Sequence, residues 1–301
     1  MKKLFFLSIM LTAALAANAQ KALKIAPKME KGTEKTYHQA ATTSITGQAD
    51  VTTTSITKYT VTEVTADGYV IEVVTTEVKT DAAPDNLMGQ VMAVAEEMTK
   101  DMVIKLATDK DGKPVHILNY QETAASAEKM ADQLIDKLFT DIPALSQTFT
   151  KDAFKQQVIS NLTEENMLKT MQQGSSVLTL NGKTVMTGSQ DEYPNALGMK
   201  MKRMFFVNGS NVTTNSSVNM TKEDMKAMII SEVEKGSPEQ AEAVKQNIDK
   251  LLDSGLLKMD MKETATYEYQ ADGWIKAIKS ETTTDVVGQQ SKVNVVVTLV
   301  N

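Results

Sequence analysis

Between Tyr37 and Lys79 the chain alternates apolar and polar residues with period two, and the same pattern returns between Leu257 and Leu299. Period two is the repeat of a strand whose two faces meet different surroundings, so both ends of the chain are committed to antiparallel sheet. In the first stretch the spacing predicts strands over Thr36–Thr46, Val51–Thr65 and Tyr69–Val78. Tyr37, Ala41 and Ile45 share one face of the first strand. The apolar phase slips between Tyr59, Val61 and Val64, the mark of a β-bulge. Gly47-Gln48 and Asp67-Gly68 supply the turns. Tyr69, Val70, Ile71, Val73 and Val74 are apolar on both faces, so the first half of the third strand should be covered on both sides. At the other end Leu257, Met259 and Met261 alternate with Lys258, Asp260 and Lys262. Asp272-Gly273 turns the chain into Trp274–Thr284, and Gly288-Gln289 leads to Val293, Val295, Val297 and Leu299.

The pentapeptide Thr-Thr-Ser-Ile-Thr occurs twice, at Thr42–Thr46 and Thr53–Thr57. It reads either as a functional Thr array or as ordinary strand chemistry, since Thr favours strands and facing Thr pairs help hold them together. Two units are too few for a solenoid.

Helices and hairpins fill the middle. A helix is predicted over Asp85–Lys100, striped by Leu87, Val91, Val94 and Met98 with Met88 and Met92 beside them. A hairpin around Asp111-Gly112 joins Met102–Ala107 to Val115–Tyr120. A second helix, Thr123–Phe139, carries Ala127, Met130, Leu134 and Leu138. Shorter helices follow at Lys151–Ser160 and Glu164–Gln173, the latter with Thr163 as N-cap and a Leu162–Met167 staple. Hairpins are expected at Ser176–Leu180 with Thr184–Gly188, and at Lys200–Val207 with Val212–Asn219. Two capping boxes then start helices at Thr221 and Ser237, the second with Pro238 at the first helical position. The tally is an α+β fold: a large antiparallel curved sheet, a half-open barrel of roughly ten to twelve strands, with about six helices packed on one side. No Pro-, Gly- or Ser-rich linker divides it. Residues 20–301 therefore read as a single domain, with pseudo-halves near 20–174 and 175–301.

The first nineteen residues stand apart. Lys2 and Lys3 precede the apolar run Leu4–Leu15, and Ala17-Asn18-Ala19 forms a small-residue cleavage site before Gln20. The run is shorter than the roughly 20 residues a spanning helix needs, so the chain reads as exported and not as an integral membrane protein. Without the two leader lysines the charge is 30 minus 38, or −8. That acidity, with Arg203 the one arginine, argues against nucleic acid as a partner. The absence of cysteine leaves no disulfide and no thiol chemistry.

No catalytic set emerges. The two histidines, His38 and His116, lie in predicted strands away from any Gly-x-Ser-x-Gly elbow. No cluster suits zinc, and Asp109-Lys110-Asp111-Gly112 lacks the ligands of a calcium loop. No cofactor is implied. Five Asn-x-Ser/Thr triplets occur, four of them between Asn208 and Asn219, which mark a polar hairpin.

Methionine is the compositional oddity, with seventeen in the chain after the leader. Methionine fills irregular gaps in cores and also lines adaptable apolar surfaces. On the second reading Met88, Met92, Met98, Met130, Met225, Met228, Met259 and Met261 line a deformable cavity for a lipid or other apolar ligand. The alternative is an envelope scaffold that binds another protein through its sheet edge or helical face. A hydrolase using His38 or His116 is the third reading.

The leader ending in Ala-Asn-Ala-Gln, the Lys31-Gly32 then Tyr37 opening, the Thr-rich meander and the Asp109–Lys113 hairpin together resemble a family of secreted Bacteroidota proteins with no assigned activity. The layout is also similar to periplasmic lipoprotein carriers of the LolA type. That resemblance implies a half-open antiparallel barrel lidded by helices over an apolar cavity, in the periplasm of a Gram-negative cell, and it carries over no individual residue. Export predicts a mature protein beginning at Gln20. Intact-mass and N-terminal sequencing of the protein recovered from its own envelope check this, and an intact Met1 start would overturn it.

Overall fold

The computed structural model describes residues 22–82, 89, 99–141, 150–152, 155, 163–172, 176–195, 199–236, 238–253, 259–286 and 289–301. Thirteen strands are described. The N-terminal run is β1 (Leu23–Lys24), β2 (Glu34–Ile45), β3 (Val51–Val64), β4 (Gly68–Asp81), β5 (Val103–Asp109) and β6 (Pro114–Ile117). The C-terminal run is β7 (Thr184–Val185), β8 (Gln190–Pro194), β9 (Lys200–Asn208), β10 (Asn211–Val218), β11 (Met259–Tyr269), β12 (Ile275–Val286) and β13 (Gln289–Leu299). Eleven form one sheet in the order β6-β5-β4-β3-β2-β13-β12-β11-β10-β9-β8, and β1 pairs with β7 apart from it. Every pair of strands in it is antiparallel. The two meanders meet at β2 and β13, so the ends of the chain lie side by side at the centre of the sheet.

The sheet is strongly curved. Asn181 Nδ2 donates to Gly112 O in the β5–β6 turn at 3.0 Å, and two residues on Lys183 Nζ pairs with Asp191 on β8 at 2.5 Å. In a flat sheet those strands, nine places apart in the order, would stand about 43 Å from each other at ~4.8 Å per step. The edges are brought together at this end without pairing, so the barrel does not close.

The segment that bridges them corrects the sequence reading. Ser176–Leu180 is a run of tight turns, with Thr179 N, Asn181 N and Lys183 N bonding to Ser176 O, Leu178 O and Leu180 O. Val177, Leu178 and Leu180 are buried, and two consecutive buried residues cannot lie on one face of a strand. Val185 pairs with Leu23 of β1, and Gly182 N bonds to Ile25 O. Residues 22–33 run on as a strap across the same end. Lys28 N bonds to Asp272 O, Trp274 Nε1 donates to Lys28 O, and Gly32 N bonds to Val61 O. The core fills this end: Tyr37, Val61, Ile71, Leu106, Phe205, Val212, Tyr267, Trp274, Ile278 and Val297 are all buried around the plug. Tyr37 donates to Ile275 O at 2.8 Å and meets the Tyr59 ring edge-on at 5.7 Å.

The helices are α1 (Tyr120–Asp141), α2 (Glu164–Met171), α3 (Lys222–Gly236) and α4 (Pro238–Asp253). Four are described against about six expected. Most of each helix predicted over Asp85–Lys100 and Lys151–Ser160 lies outside the described residues, and Lys100 forms a parallel β-bridge with Thr75. Thr221 and Asp224 make the predicted capping box, each backbone N–H meeting the other side chain at 3.1 Å. Thr163 caps α2 through Asn166 N; Leu162 of the staple lies outside the described residues. On α1 the buried stripe is Ala131, Ile135 and Leu138, with Ala127, Met130 and Leu134 half-buried, so the predicted stripe is rotated by about one residue. Leu138 belongs to both stripes, and tertiary packing buries Ala131 and Ile135 above it.

The bulge in β3 falls between Val61 and Glu63, as the phase slip predicted. In β4 Ile71 is buried, but Val70 and Val74 on the other face are only half-buried. The expected cover on both sides is therefore incomplete, because those residues face the outer surface. Asp67-Gly68 does mark a hairpin, though Gly68 is needed for another reason than a left-handed turn. A Cβ there would stand 1.9 Å from Thr108 O on the neighbouring strand. Gly68→Ala should thus cost about 3 kcal/mol by forcing backbone apart. Gly47→Ala, at φ +82 but with open space around it, should cost about 1 kcal/mol. Urea denaturation of both variants tests the order, and equal midpoints would overturn it.

Candidate functional site

Directly paired residues of neighbouring strands share a face, so register alone lays out the concave surface. One row crosses eight strands: Asp191, Arg203, Ser216, Glu263, Thr282, Val293, Thr43 and Val51. The next row toward the filled end runs Phe205, Thr214, Ala265, Ser280, Val295, Ala41 and Thr53. The row beyond that belongs to the core, with Val212, Tyr267, Ile278 and Val297. Large side chains thus give way to small ones along the strands. Ala41, Thr43, Ser55, Ser280, Thr282, Val293 and Val295 are all half-buried. The outer face carries the charge: Lys58, Glu72, Lys79, Lys279, Glu281 and Lys292 lie at the alternating positions.

The two Thr-Thr-Ser-Ile-Thr copies fall on opposite faces. Ile45 pairs with Ser291 on the concave side, whereas Ile56 pairs with His38 on the outer side. No common array results, and the threonines instead make cross-strand contacts: Thr42 with Thr52, Thr53 with Thr80, and Thr57 with Thr75, at 3.1, 3.2 and 3.2 Å. Strand chemistry explains them.

The polar row holds the chemistry that sequence reading missed. Arg203 is 5 % exposed, and its Nε and Nη2 donate to the two Asp191 oxygens at 2.9 and 2.8 Å. Its guanidinium lies 4.5 Å from the Tyr193 ring centre and 5.0 Å from that of Phe205. Lys183 adds a second cation to Asp191. Tyr193 donates to Glu263 Oε2 at 3.1 Å. Burial opposes ionisation of Asp191, but the bonds from Arg203 and Lys183 outweigh it and hold its carboxyl below the usual range. Burial also opposes the Arg203 charge, and Asp191 reverses the balance, so the guanidinium is held more firmly protonated. Burial, with the Glu263 charge beside it, pushes the Tyr193 hydroxyl up to about 12. The sequence signal was available: Arg203 interrupts the apolar alternation of Met201, Phe205 and Val207 on one face of β9.

The methionines are spread more widely than a single lining. Met261 lies on the concave face of β11, its sulfur 3.2 Å from Asn195 Nδ2. Met130 lines a cleft of about 300 Å³ between α1 and the start of β5, with Lys100, Asp101, Asn119 and Glu122. Met225 and Met228 are half-buried on α3, which packs against α4. Met88, Met92 and Met98 and the side chain of Met259 lie outside the described residues. A larger cleft of about 530 Å³ opens at the far ends of β2, β11, β12 and β13, and its walls are polar, including Asp260, Lys262, Asp285 and Lys292.

His38 is exposed on the outer face, and His116 faces solvent with Nδ1 3.5 Å from Glu164 Oε1. Asp109 Oδ1 accepts from the backbone of Asp111 and Lys113, and Asp111 pairs with Lys24, so these carboxylates serve the turn. Among the described residues no group of three or more His, Asp or Glu could hold a metal, and no helix is long and apolar enough to cross a membrane.

No family model matches the chain, and no curated protein matches it. Among solved structures it is similar to a chain described as "Lipid-protein interactions in lipovitellin", with a TM-score of 0.40 and 7 % identity. The match covers 91 % of this chain and 26 % of that one, so this chain spans about a quarter of that length. A likeness at that level carries no functional argument.

Loss of the Asp191 carboxylate should expose the cost of the buried row. Asp191→Asn strands Arg203 and should cost about 3 kcal/mol at neutral pH. The carboxyl's folded-state value is depressed, so its stabilisation is present above the ordinary aspartate range near 4 and fades as pH falls through the folded value. Wild type should therefore lose stability on acidification below about pH 4 more steeply than Asp191→Asn. Urea midpoints between neutral and strongly acid pH report both effects, and a variant as stable as wild type at pH 7 would overturn the reading.

Proposed function

We propose that the protein is a non-enzymatic carrier, exported to the envelope, that holds a lipid or other apolar ligand along the concave face of its sheet. One observation carries this reading. The concave positions of β12, β13 and β2 turn from large buried residues to smaller half-buried ones, at Ser280, Val295 and Ala41, while Thr53 and Val51 beside them on β3 are buried. Small side chains on the inner side of a curved sheet leave a trough above them, continuous with the aromatic core at its floor. Ligand pockets of several hundred Å³ are built in this way, from a mostly apolar lining with a few convergent polar groups. The unpaired sheet edges let such a trough widen without breaking strand pairing. The LolA-type layout inferred from the sequence points to the same use. Among the described methionines first assigned to the lining, Met261 lies on this face.

Filling the trough tests the proposal. Ala41→Trp and Ser280→Trp place a large ring on the small-residue floor and should lower the affinity for an alkyl-chain probe such as oleate at least about tenfold. Melting temperature should stay within a few degrees, since Ala41 and Ser280 are only half-buried. Native mass spectrometry of protein from its own envelope should show wild type carrying lipid and both variants bare. Undiminished probe binding by the two variants would sink the trough as the site.

A further inference from the structure

Asn-Gly occurs twice in the chain, at Asn181-Gly182 and Asn208-Gly209, and the fold treats the two pairs in opposite ways. In this dipeptide a backbone nitrogen can reach the preceding side-chain amide, because glycine has no Cβ to obstruct the approach. At the first pair the reacting groups are engaged. Asn181 is 4 % exposed, and its Nδ2 donates to Gly112 O at 3.0 Å. Gly182 N, the nitrogen that would attack, donates to Ile25 O at 2.8 Å. The second pair closes the β9–β10 hairpin. Asn208 pairs with Asn211 on the last rung of the ladder, and residues 208–211 are all exposed. Gly209 takes φ +62 with open space around it. Among the described residues neither Gly209 N nor the Asn208 side chain meets a hydrogen-bond partner.

We infer that Asn208 is a site of spontaneous deamidation, which adds a negative charge to this hairpin as the protein ages. An exposed terminal rung frays at little cost, so the turn can bend into the approach that ring closure needs. Gly209 N gives up its proton to hydroxide and attacks Asn208 Cγ. The bond from Cγ to Nδ2 breaks, ammonia leaves, and a succinimide ring closes. Water then adds to one of the two ring carbonyls. Opening at Cγ leaves aspartate, and opening at the backbone carbonyl leaves isoaspartate, with the chain running through the former side chain. No oxidant or enzyme is required. Asn181 is spared for a physical reason: its amide and the nitrogen behind it are both held in the buried plug.

Peptide mapping by mass spectrometry tests this on folded protein held at mildly alkaline pH. The peptide carrying residue 208 should gain the mass of an NH2-to-OH exchange and split into aspartyl and isoaspartyl products. Asn181 should lag by about a hundredfold or more, because it reacts only when the plugged end opens. Asn208→Gln, whose longer side chain cannot close the same ring, should remove the products. In urea the two sites should convert at similar rates, since both are then free. Equal conversion of Asn181 and Asn208 in the folded protein would overturn the inference, and so would an Asn208 that stays intact. A large difference that persists in urea would assign the effect to neighbouring residues in the sequence and sink it as well.

Discussion

Nine residue pairs between β2 and β13, from Tyr37 with Leu299 to Ile45 with Ser291, hold the two meanders in one sheet. Closing a loop of roughly 250 residues costs about 5 kcal/mol of chain entropy. A ladder of this length offsets that at about 1 kcal/mol per net hydrogen bond. Without it the chain would form two smaller sheets, each with long exposed edges, and the core would be halved. Val297, Gln39 and Ser55 share one row across this seam, so the seam also fixes which residues face inward. A slip of one residue would turn the charged outer face into the trough.

The curvature has its own cause. The strap and plug tie both edges at one end, where Lys24 reaches Asp111 and Gly182 O, and Asn181 reaches Gly112 O. The far end has no such tie among the described residues. The β6 edge is blunted by α2 instead: Glu164 accepts from Ile117 N at 2.8 Å, and Gln172 donates to Pro114 O at 2.7 Å. On β8, Pro194 and a length of five residues limit the exposed edge. The molecule thus keeps its sheet open while leaving little unpaired backbone for aggregation.

Much of the sheet was legible because period two is a strong signal where one face is buried and the other charged. Val293, Val295 and Val297 alternate with Lys292, Asn294 and Val296, and their strand is where the sequence placed it. The plug was not legible. Leu178-Thr179-Leu180 before Asn181-Gly182 reads as a strand and a hairpin, but the partner it needed was already taken: Val185 pairs with Leu23, more than half the chain away. Local pattern cannot report which long-range pairing wins. The methionines are a weaker guide for a related reason, since helical stripes show that a residue is covered without showing what covers it.

Arg203 shows where sequence reasoning stops short of a site. As the one arginine it excluded a phosphate-binding cluster, which is a statement about number. Its meaning depends on Asp191 and Lys183, eight residues apart in sequence and joined at one carboxylate only because β8 folds back on β9. Once the three meet, two cations share one carboxylate, and Glu263 on the same row supplies the second negative charge. Asp191 answers the buried guanidinium through both of its oxygens, so the row is held by a contact that no single strand could make alone.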